Sequence, residues 1–362
     1  MTASVSASSS VLRFVSAPLR RYFGPRFAAI ESRLNTLSDQ VRALELERAM
    51  RFRWLQRVDV TDHNRGGRPP AFADFDSHAV SAAQCVDPAY LEWYRKLLPG
   101  WFEDCVAHTD GGDAWVRGGG VFGAPASLFN RKAWEWAYIA EMASQVLGSR
   151  QSGRVLGFGV GNEPLPALFA SWGMDVVATD QGPESGAHWA EAGELLGSLE
   201  GLSRPHLLPA EELARRVAIR TVDMNALPED LGAFDLIWSS CSIEHLGSPE
   251  LGLRFVAESC RLLRPGGVAV HTTELELTRR ETTADYGHCA VYRIEDLQEF
   301  AGRMLQDGYQ VSLNTTVCMD APEDRWIDLG QAEAKRADLP HLRVVIGDSV
   351  TTSFGLLVRR PV

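Results

Sequence analysis

Residues 154–164 run Arg154-Val155-Leu156-Gly157-Phe158-Gly159-Val160-Gly161-Asn162-Glu163-Pro164, an apolar stretch that opens into a turn with three glycines at alternating positions. Further on, Asp175-Val176-Val177-Ala178-Thr179-Asp180 repeats the apolar stretch and ends it on an acid. A strand, a turn poor in side chains, a helix and a second strand closed by an acid make one half of a doubly wound nucleoside-binding sheet. Parallel strands cannot be joined by a hairpin, so this order commits the chain to alternating strands and helices.

The turn discriminates among ligands. Without Cβ atoms at Gly157, Gly159 and Gly161, backbone can approach a ligand closely. Asp180, at the end of the second strand, offers two oxygens to the two hydroxyls of a ribose. The dinucleotide spacing G-x-G-x-x-G fails in both registers, because Asn162 or Pro164 stands at the sixth position. Glu163 would repel a pyrophosphate there, which disfavours a nicotinamide-dependent oxidoreductase. A cationic nucleoside suits the turn better, and S-adenosylmethionine, with its positive sulfonium, is one.

The rest of the chain extends the sheet. A third strand is predicted over Val217–Asn225, where Asp223 is placed to accept from an adenine amino group and Met224 to lie against the ring. A fourth spans Phe234–Ser240 and runs into Cys241-Ser242-Ile243-Glu244-His245. Leu263-Arg264-Pro265-Gly266-Gly267 stops a helix before a fifth strand at Val268–Thr273. A helix from Ile294 to Gln306 precedes a strand at Tyr309–Leu313, and Val350–Val358 is the last.

These residues resemble the class I S-adenosylmethionine-dependent methyltransferases over residues 150–315, with the final strand near 350–359. Val155-Leu156-x-Phe158-Gly159-x-Gly161 looks like the first motif of that family, Asp180 like its ribose acid and Asp223 like its adenine-side residue. Ser240 to His245 resembles the segment after its fourth strand, and Arg264-Pro265-Gly266-Gly267 the turn before its fifth. The resemblance implies an α/β fold with a doubly wound, mostly parallel, seven-stranded Rossmann-like sheet. It implies S-adenosyl-L-methionine as cofactor, held by Gly157, Gly159, Gly161, Glu163, Asp180, Asp223, Met224 and Ser240. Two positions depart from the family: Gly157 stands where an acid is usual, and Glu163 where a third glycine is usual. The variant Gly159-x-Gly161-x-Glu163-Pro164-Leu165-Pro166 is similar to a bacterial subgroup associated with glycan or secondary-metabolite modification.

Methyl transfer to a hydroxyl needs alignment and a proton acceptor. Ligands bind at the carboxyl ends of strands, which puts Glu244 and His245 past the fourth strand and His271 and Glu274 at the end of the fifth. His245 is the first candidate for general base, since histidine titrates near neutrality. Glu244 is the second catalytic candidate, with capping of helix amides as its plain reading. His271 reads mainly as a satisfied sheet histidine. Tyr286 and His288 fall in a polar stretch that is either an acceptor loop or a surface loop. No spacing of Asp, Glu, His or Cys selects a metal.

Half of the ten tryptophans fall between residues 90 and 138. Aromatic faces there serve either as core or as a cap around a sulfonium. Asn130 starts a helix that runs to Leu147, in which Arg131 and Glu135 are one turn apart and read as a surface ion pair. Gly111-Gly112 and Gly118-Gly119-Gly120 read as a mobile connection in the cap. The organisation is therefore a basic segment and heptad-patterned helix at 1–63, a linker and aromatic-rich helical cap at 64–149, and a methyltransferase domain at 150–362.

The first thirty residues hold four arginines and no acid, in a chain whose net charge is −11. Phe27, Ile30, Leu34, Leu37, Val41 and Leu44 follow a 3-4-3-4-3 spacing, the seam of a short coiled coil that ends at Arg48. That seam predicts either self-association into a homo-oligomer or a helix lying on its own domain. The basic start suits weak contact with an anionic membrane surface, and it also resembles a mitochondrial presequence. Bacterial cytoplasm is the favoured compartment. The acidic charge argues against general nucleic-acid binding. Six cysteines without C-x-x-C spacing fit a reducing compartment. The reading is a methyltransferase acting on an oxygen of a glycan or small-molecule acceptor. Its rival is a catalytically inactive methyltransferase-like scaffold.

Overall fold

A computed structural model describes residues 17–65, 67–110, 120–148, 150, 152–182, 195–287, 289–330 and 339–362. The chain divides into two units, Met1–Trp54 and Leu55–Val362. The first is built on one helix, α1 (Ala17–Leu55). Along it Ile30, Leu34, Leu37, Val41 and Leu44 are each more than half exposed, so the predicted seam forms an open apolar stripe. The division falls before residue 63, because α1 ends at Leu55 and residues 56–63 belong to the second unit.

In that unit seven strands carry the sheet. They are β1 (Arg154–Phe158), β2 (Asp175–Asp180), β3 (Val217–Thr221), β4 (Phe234–Ser240), β5 (Leu263–Glu276), β6 (Arg343–Ile346) and β7 (Ser349–Arg359). Their order across the sheet is β3-β2-β1-β4-β5-β7-β6. Strands β3 through β5 in that order are mutually parallel, and β7 runs antiparallel to both of its neighbours. Three two-residue strands bring the sheet to ten: His78–Ala79 and Gln310–Val311 pair with β7, and Ile327–Asp328 pairs with β6. The fold is the doubly wound, mostly parallel α/β sheet expected, with β1 between β2 and β4 and buried along most of its length.

Two strand predictions are corrected. The run at Tyr309–Leu313 is only a two-residue pair against Val358 and Arg359, and the position beyond β7 belongs to Arg343–Ile346. The third strand stops at Thr221, because Asp223 accepts the Asn225 amide through Oδ1 (2.8 Å) and bends the chain into a turn.

Helices α2 (Pro88–Leu97), α3 (Pro99–Asp110) and α4 (Arg131–Leu147) precede β1. Asn130 starts α4 by accepting the amides of Lys132 and Ala133 at 3.0 and 3.2 Å. After β1 come α5 (Leu165–Ser171), α6 (Ala210–Arg216), α7 (Pro249–Cys260) and α8 (Ile294–Gln306). Ser248 caps α7 ahead of Pro249. The start of the segment expected as a linker and cap at 64–149 is pinned: Asn64 exchanges two hydrogen bonds with Val317, and Asn314 donates to the Arg68 carbonyl.

Most of the aromatic cluster is core. Tyr90, Tyr94, Phe129, Trp134 and Tyr138 are buried, with Trp134 stacked on Tyr138 at 5.0 Å. Trp134 donates to Gln84 and Tyr138 to the Asp76 carbonyl, which satisfies their polar ends. Trp115 and the glycines at 111, 112, 118 and 119 lie outside the described residues.

Candidate active site

A cavity of about 970 Å³ opens at the carboxyl ends of β1 to β4. Four segments form its floor: Gly159–Glu163 after β1, Asp180–Gly182 after β2, Thr221–Asn225 after β3 and Ser240–Ser242 after β4. This is where a doubly wound sheet leaves a crevice, because its crossovers diverge on either side of the central strand.

The glycine turn is tight. Gly159 and Gly161 have φ of +56° and +47°, a region that side chains disfavour. The Asp180 carboxylate folds back on the turn, accepting the Gly161 amide at 3.1 Å and the Leu196 amide at 3.0 Å through Oδ2. Its Oδ1 accepts the Gln181 amide at 2.8 Å. Asp180, Asp223, Met224 and Asn225 line one end of the cavity, the end where the sequence predicts a nucleoside.

Gly157 does not line the cavity. It lies opposite Trp238 in the sheet, and the buried Trp238 indole fills the space its side chain would take. The Trp238 Nε1 donates to Glu163 Oε1 at 2.5 Å. Glu163 is buried yet borders the cavity, and burial pushes its pKa up to about 8 against the pull of Trp238 and Lys132. Nearby Asp180 and Glu135 contribute to that rise.

The opposite wall comes from α3, α4 and the turn after β4. Trp101, Lys132 and Trp136 face the cavity, as do Ser240, Cys241, Ser242, His245 and Leu246. Cys241 has φ of +45°, the one left-handed non-glycine among the described residues. Such a conformation costs about 1–3 kcal/mol and persists where the surroundings over-determine it. Here the Cys241 amide is held by both the carbonyl and the hydroxyl of Thr272, each at 3.1 Å. Burial pushes the Cys241 thiol well up, with Glu135 and Glu244 adding to it, so it stays protonated.

Behind this wall lies an ionic lattice that the sequence reading missed. The Arg131–Glu135 pair is not on the surface. Arg131 pairs with Glu274 as well as with Glu135, and the Glu135 side chain is fully buried. Lys132 Nζ donates to Glu135 Oε2 at 3.2 Å, and Ser240 Oγ donates to the same oxygen at 3.3 Å. Ser353 also donates to Glu135, and Thr351 to Glu274 at 2.9 Å. Burial works against a charged Glu135, yet Lys132 and Arg131 hold its pKa below the usual carboxylate range. Only α4 pointed to this lattice, since its partners come from β4, β5 and β7.

The two catalytic candidates separate. His245 ends a short 3₁₀ turn (Ile243–His245) and borders the cavity. Glu244 points into the protein, where Thr273 donates to Oε2 at 3.2 Å and burial raises its pKa. It caps no helix in the arrangement expected of it, because Ser248 caps α7. Cys241, Glu244 and Glu274 bring their ligand-type atoms within 4.8 Å of one another. His271 is fully buried mid-sheet, bonded to Ser239 at 2.8 Å, and burial pushes its pKa down to about 3. Tyr286 turns away from the cavity to Ser349 at 2.7 Å, while His288 lies outside the described residues. No helix among the described residues is long and apolar enough to cross a membrane.

Comparison with known proteins places residues 156–271 in a family described as a methyltransferase domain. A malonyl-[acyl-carrier protein] O-methyltransferase of Salmonella typhimurium is 28% identical over 153 residues, 42% of this chain and 51% of that protein. The chain thus spans about half the length of this curated relative. Among solved structures, an S-adenosylmethionine-dependent methyltransferase from Mesorhizobium loti matches at 14% identity over 62% of this chain and 97% of its own, with a TM-score of 0.38. The glycopeptide N-methyltransferase MtfA complexed with S-adenosyl-L-homocysteine matches at 14% identity over 62% and 88%, with a TM-score of 0.35.

Proposed function

We propose that this chain, whose residues 156–271 match a family described as a methyltransferase domain, is a class I S-adenosylmethionine-dependent methyltransferase that moves a methyl group to an oxygen of a small-molecule or glycan acceptor. One observation carries this reading: the nucleoside-end acids and the His245 wall border the same cavity. Its volume is at the upper end of the roughly 300–1,000 Å³ usual for ligand sites. That leaves room for a nucleoside cofactor and a modest acceptor together.

The residues present fit the cofactor. Asp180 holds a carboxylate at the end of β2, aimed by three backbone amides. Asp223 and Met224 border the adenine side, and Gly159 and Gly161 keep the turn free of side chains. When bound, S-adenosyl-L-methionine supplies an electrophilic methyl on a positive sulfur. Trp101 and Trp136 offer aromatic faces to that charge or to a sugar-like acceptor. His245 takes the proton from the attacking hydroxyl, as its place on the open wall allows. Glu244 and the lattice of Arg131, Glu135 and Glu274 position that wall from behind, while Lys132 of the same lattice faces the cavity. The inactive-scaffold reading has no observation in its favour. The relative from Salmonella is named as an O-methyltransferase and MtfA as an N-methyltransferase, so the oxygen preference rests on the histidine wall.

The test is turnover with methyl-labelled cofactor against a panel of hydroxylated glycans and metabolites, with product structure read by NMR. His245→Ala should lower turnover by about 10²–10⁴-fold with unchanged cofactor affinity. Asp180→Ala should lose cofactor binding. An N-methyl product made at full rate by the His245→Ala variant would sink the assignment.

A further inference from the structure

The cavity holds three acids, and only two sit at its nucleoside end. Glu163 borders the cavity beyond the glycine turn, is buried, and has one oxygen fixed by the Trp238 indole. The turn offers no carboxylate at Gly157, because Trp238 fills the space there and presents its N–H to Glu163 instead. Resting on the cofactor reading above, we infer that Glu163 is the anionic partner of the cofactor's α-ammonium group, with Trp238 as the residue that positions it.

The chemistry follows from solvation. A desolvated carboxylate without a cation is costly, so the group takes up a proton instead. Burial raises the Glu163 pKa to about 8. The groups facing it do not cancel this. Trp238 on β4 donates to it, and Lys132 on α4 attracts it from a distance but is bonded to Glu135 at 3.2 Å. Asp180 at the end of β2 and Glu135 on α4 repel its charge. Arg204 feels the Glu163 charge, but its guanidinium donates to the carbonyls of Asn162, Gly201 and Ser203. An arriving ammonium supplies the missing cation and drives the proton from Glu163 to solvent. Binding therefore tightens as pH rises toward 8, and one proton leaves for each ligand bound at lower pH. The α-ammonium is shared by S-adenosylmethionine and S-adenosyl-L-homocysteine, so both show the effect.

Calorimetry with S-adenosyl-L-homocysteine tests this, at pH 6, 7 and 8 in buffers of different ionisation enthalpy. The wild type should release close to one proton at pH 6 and 7, with affinity rising by up to about tenfold per pH unit and levelling near pH 8. Glu163→Gln keeps an oxygen for Trp238 and should bind about tenfold or more weakly at pH 8, with no release and no such slope. Trp238→Phe should keep the release with its midpoint moved up. Wild-type binding without proton release, or a Glu163→Gln variant with the same release and affinity, would overturn the assignment. A wild type that binds at no pH removes the cofactor reading and this assignment with it, while Asp180→Ala losing binding as Glu163→Gln retains it removes the assignment alone.

Discussion

Substituting Gly157 by alanine should destabilise the protein, and the amount can be worked from its neighbours. An ideal Cβ at Gly157 would stand 2.3 Å from Trp238 Cζ2 and 2.5 Å from Val160 Cγ1. Trp238 cannot retreat easily. It is fully buried, packs edge-on against Phe169 at 4.9 Å, and is tethered to Glu163. Gly157 is not left-handed, so no backbone strain enters. Loss of chain entropy in the unfolded state favours alanine by about 0.4–1 kcal/mol. Overpacking a filled core costs about 1–3 kcal/mol, so the clash wins and the net loss is about 1–2 kcal/mol. The partner variant Trp238→Leu should itself cost about 3 kcal/mol or more through its cavity. In that background most of the Gly157→Ala penalty should vanish, a coupling of at least about 1 kcal/mol between adjacent sites. Guanidinium unfolding followed by near-ultraviolet circular dichroism would measure all four corners of the cycle. A Gly157→Ala protein as stable as wild type would refute the reasoning, as would an equal cost in both backgrounds.

Three further outcomes are expected. Asp324→Asn should lower stability by about 3–5 kcal/mol in thermal or denaturant unfolding, because it leaves the fully buried Arg343, now 3.0 Å from Asp324, without a counter-ion. His271 is neutral in the fold with its pKa pushed down to about 3, so the unfolded chain binds its proton first; stability should fall as pH drops from about 6.5 toward 3 by up to about 1.4 kcal/mol per unit, and His271→Asn should show a shallower acid limb. We propose that the stripe on α1 pairs with a second copy, so Leu34→Glu with Leu37→Glu should yield monomers on size-exclusion chromatography from a wild type that elutes as an oligomer.

The parts of the fold legible in the sequence were those set by local pattern. The apolar runs of β1, β2 and β4 stop where their flanking turns stop them. Asn130 and Ser248 mark helix starts by chemistry that acts within three residues. The outer half of the sheet was harder, because β7 is flanked in turn by β6, His78–Ala79 and Gln310–Val311, and the middle one of these lies more than two hundred residues from the other two in the chain. Tyr309–Leu313 has a strand-like composition, but β7 offers it only two residues of free edge.

The same division runs through the site. The end of the cavity bordered by Asp180 and Asp223 reads directly from sequence, since each acid stands at or just past the end of the strand that delivers it, and a strand end needs no distant partner to be recognised. The wall around His245 does not. Arg131 and Glu135 look like a solvated helical pair until β5 and β7 bring Glu274, Thr351 and Ser353 beneath them. Burial then reverses the meaning of the charges: a pair worth little at the surface becomes one whose every member must be satisfied. Four hydrogen-bonding side chains reach Glu135 alone, and two of them, Lys132 and Ser240, are part of the cavity wall. The wall is therefore held from behind by Arg131, Glu135, Glu274, Thr351 and Ser353, which do not line the cavity. Substitutions of Arg131, Glu135 or Glu274 should alter turnover by moving Ser240 and Cys241, while leaving Asp180 and Asp223 in place.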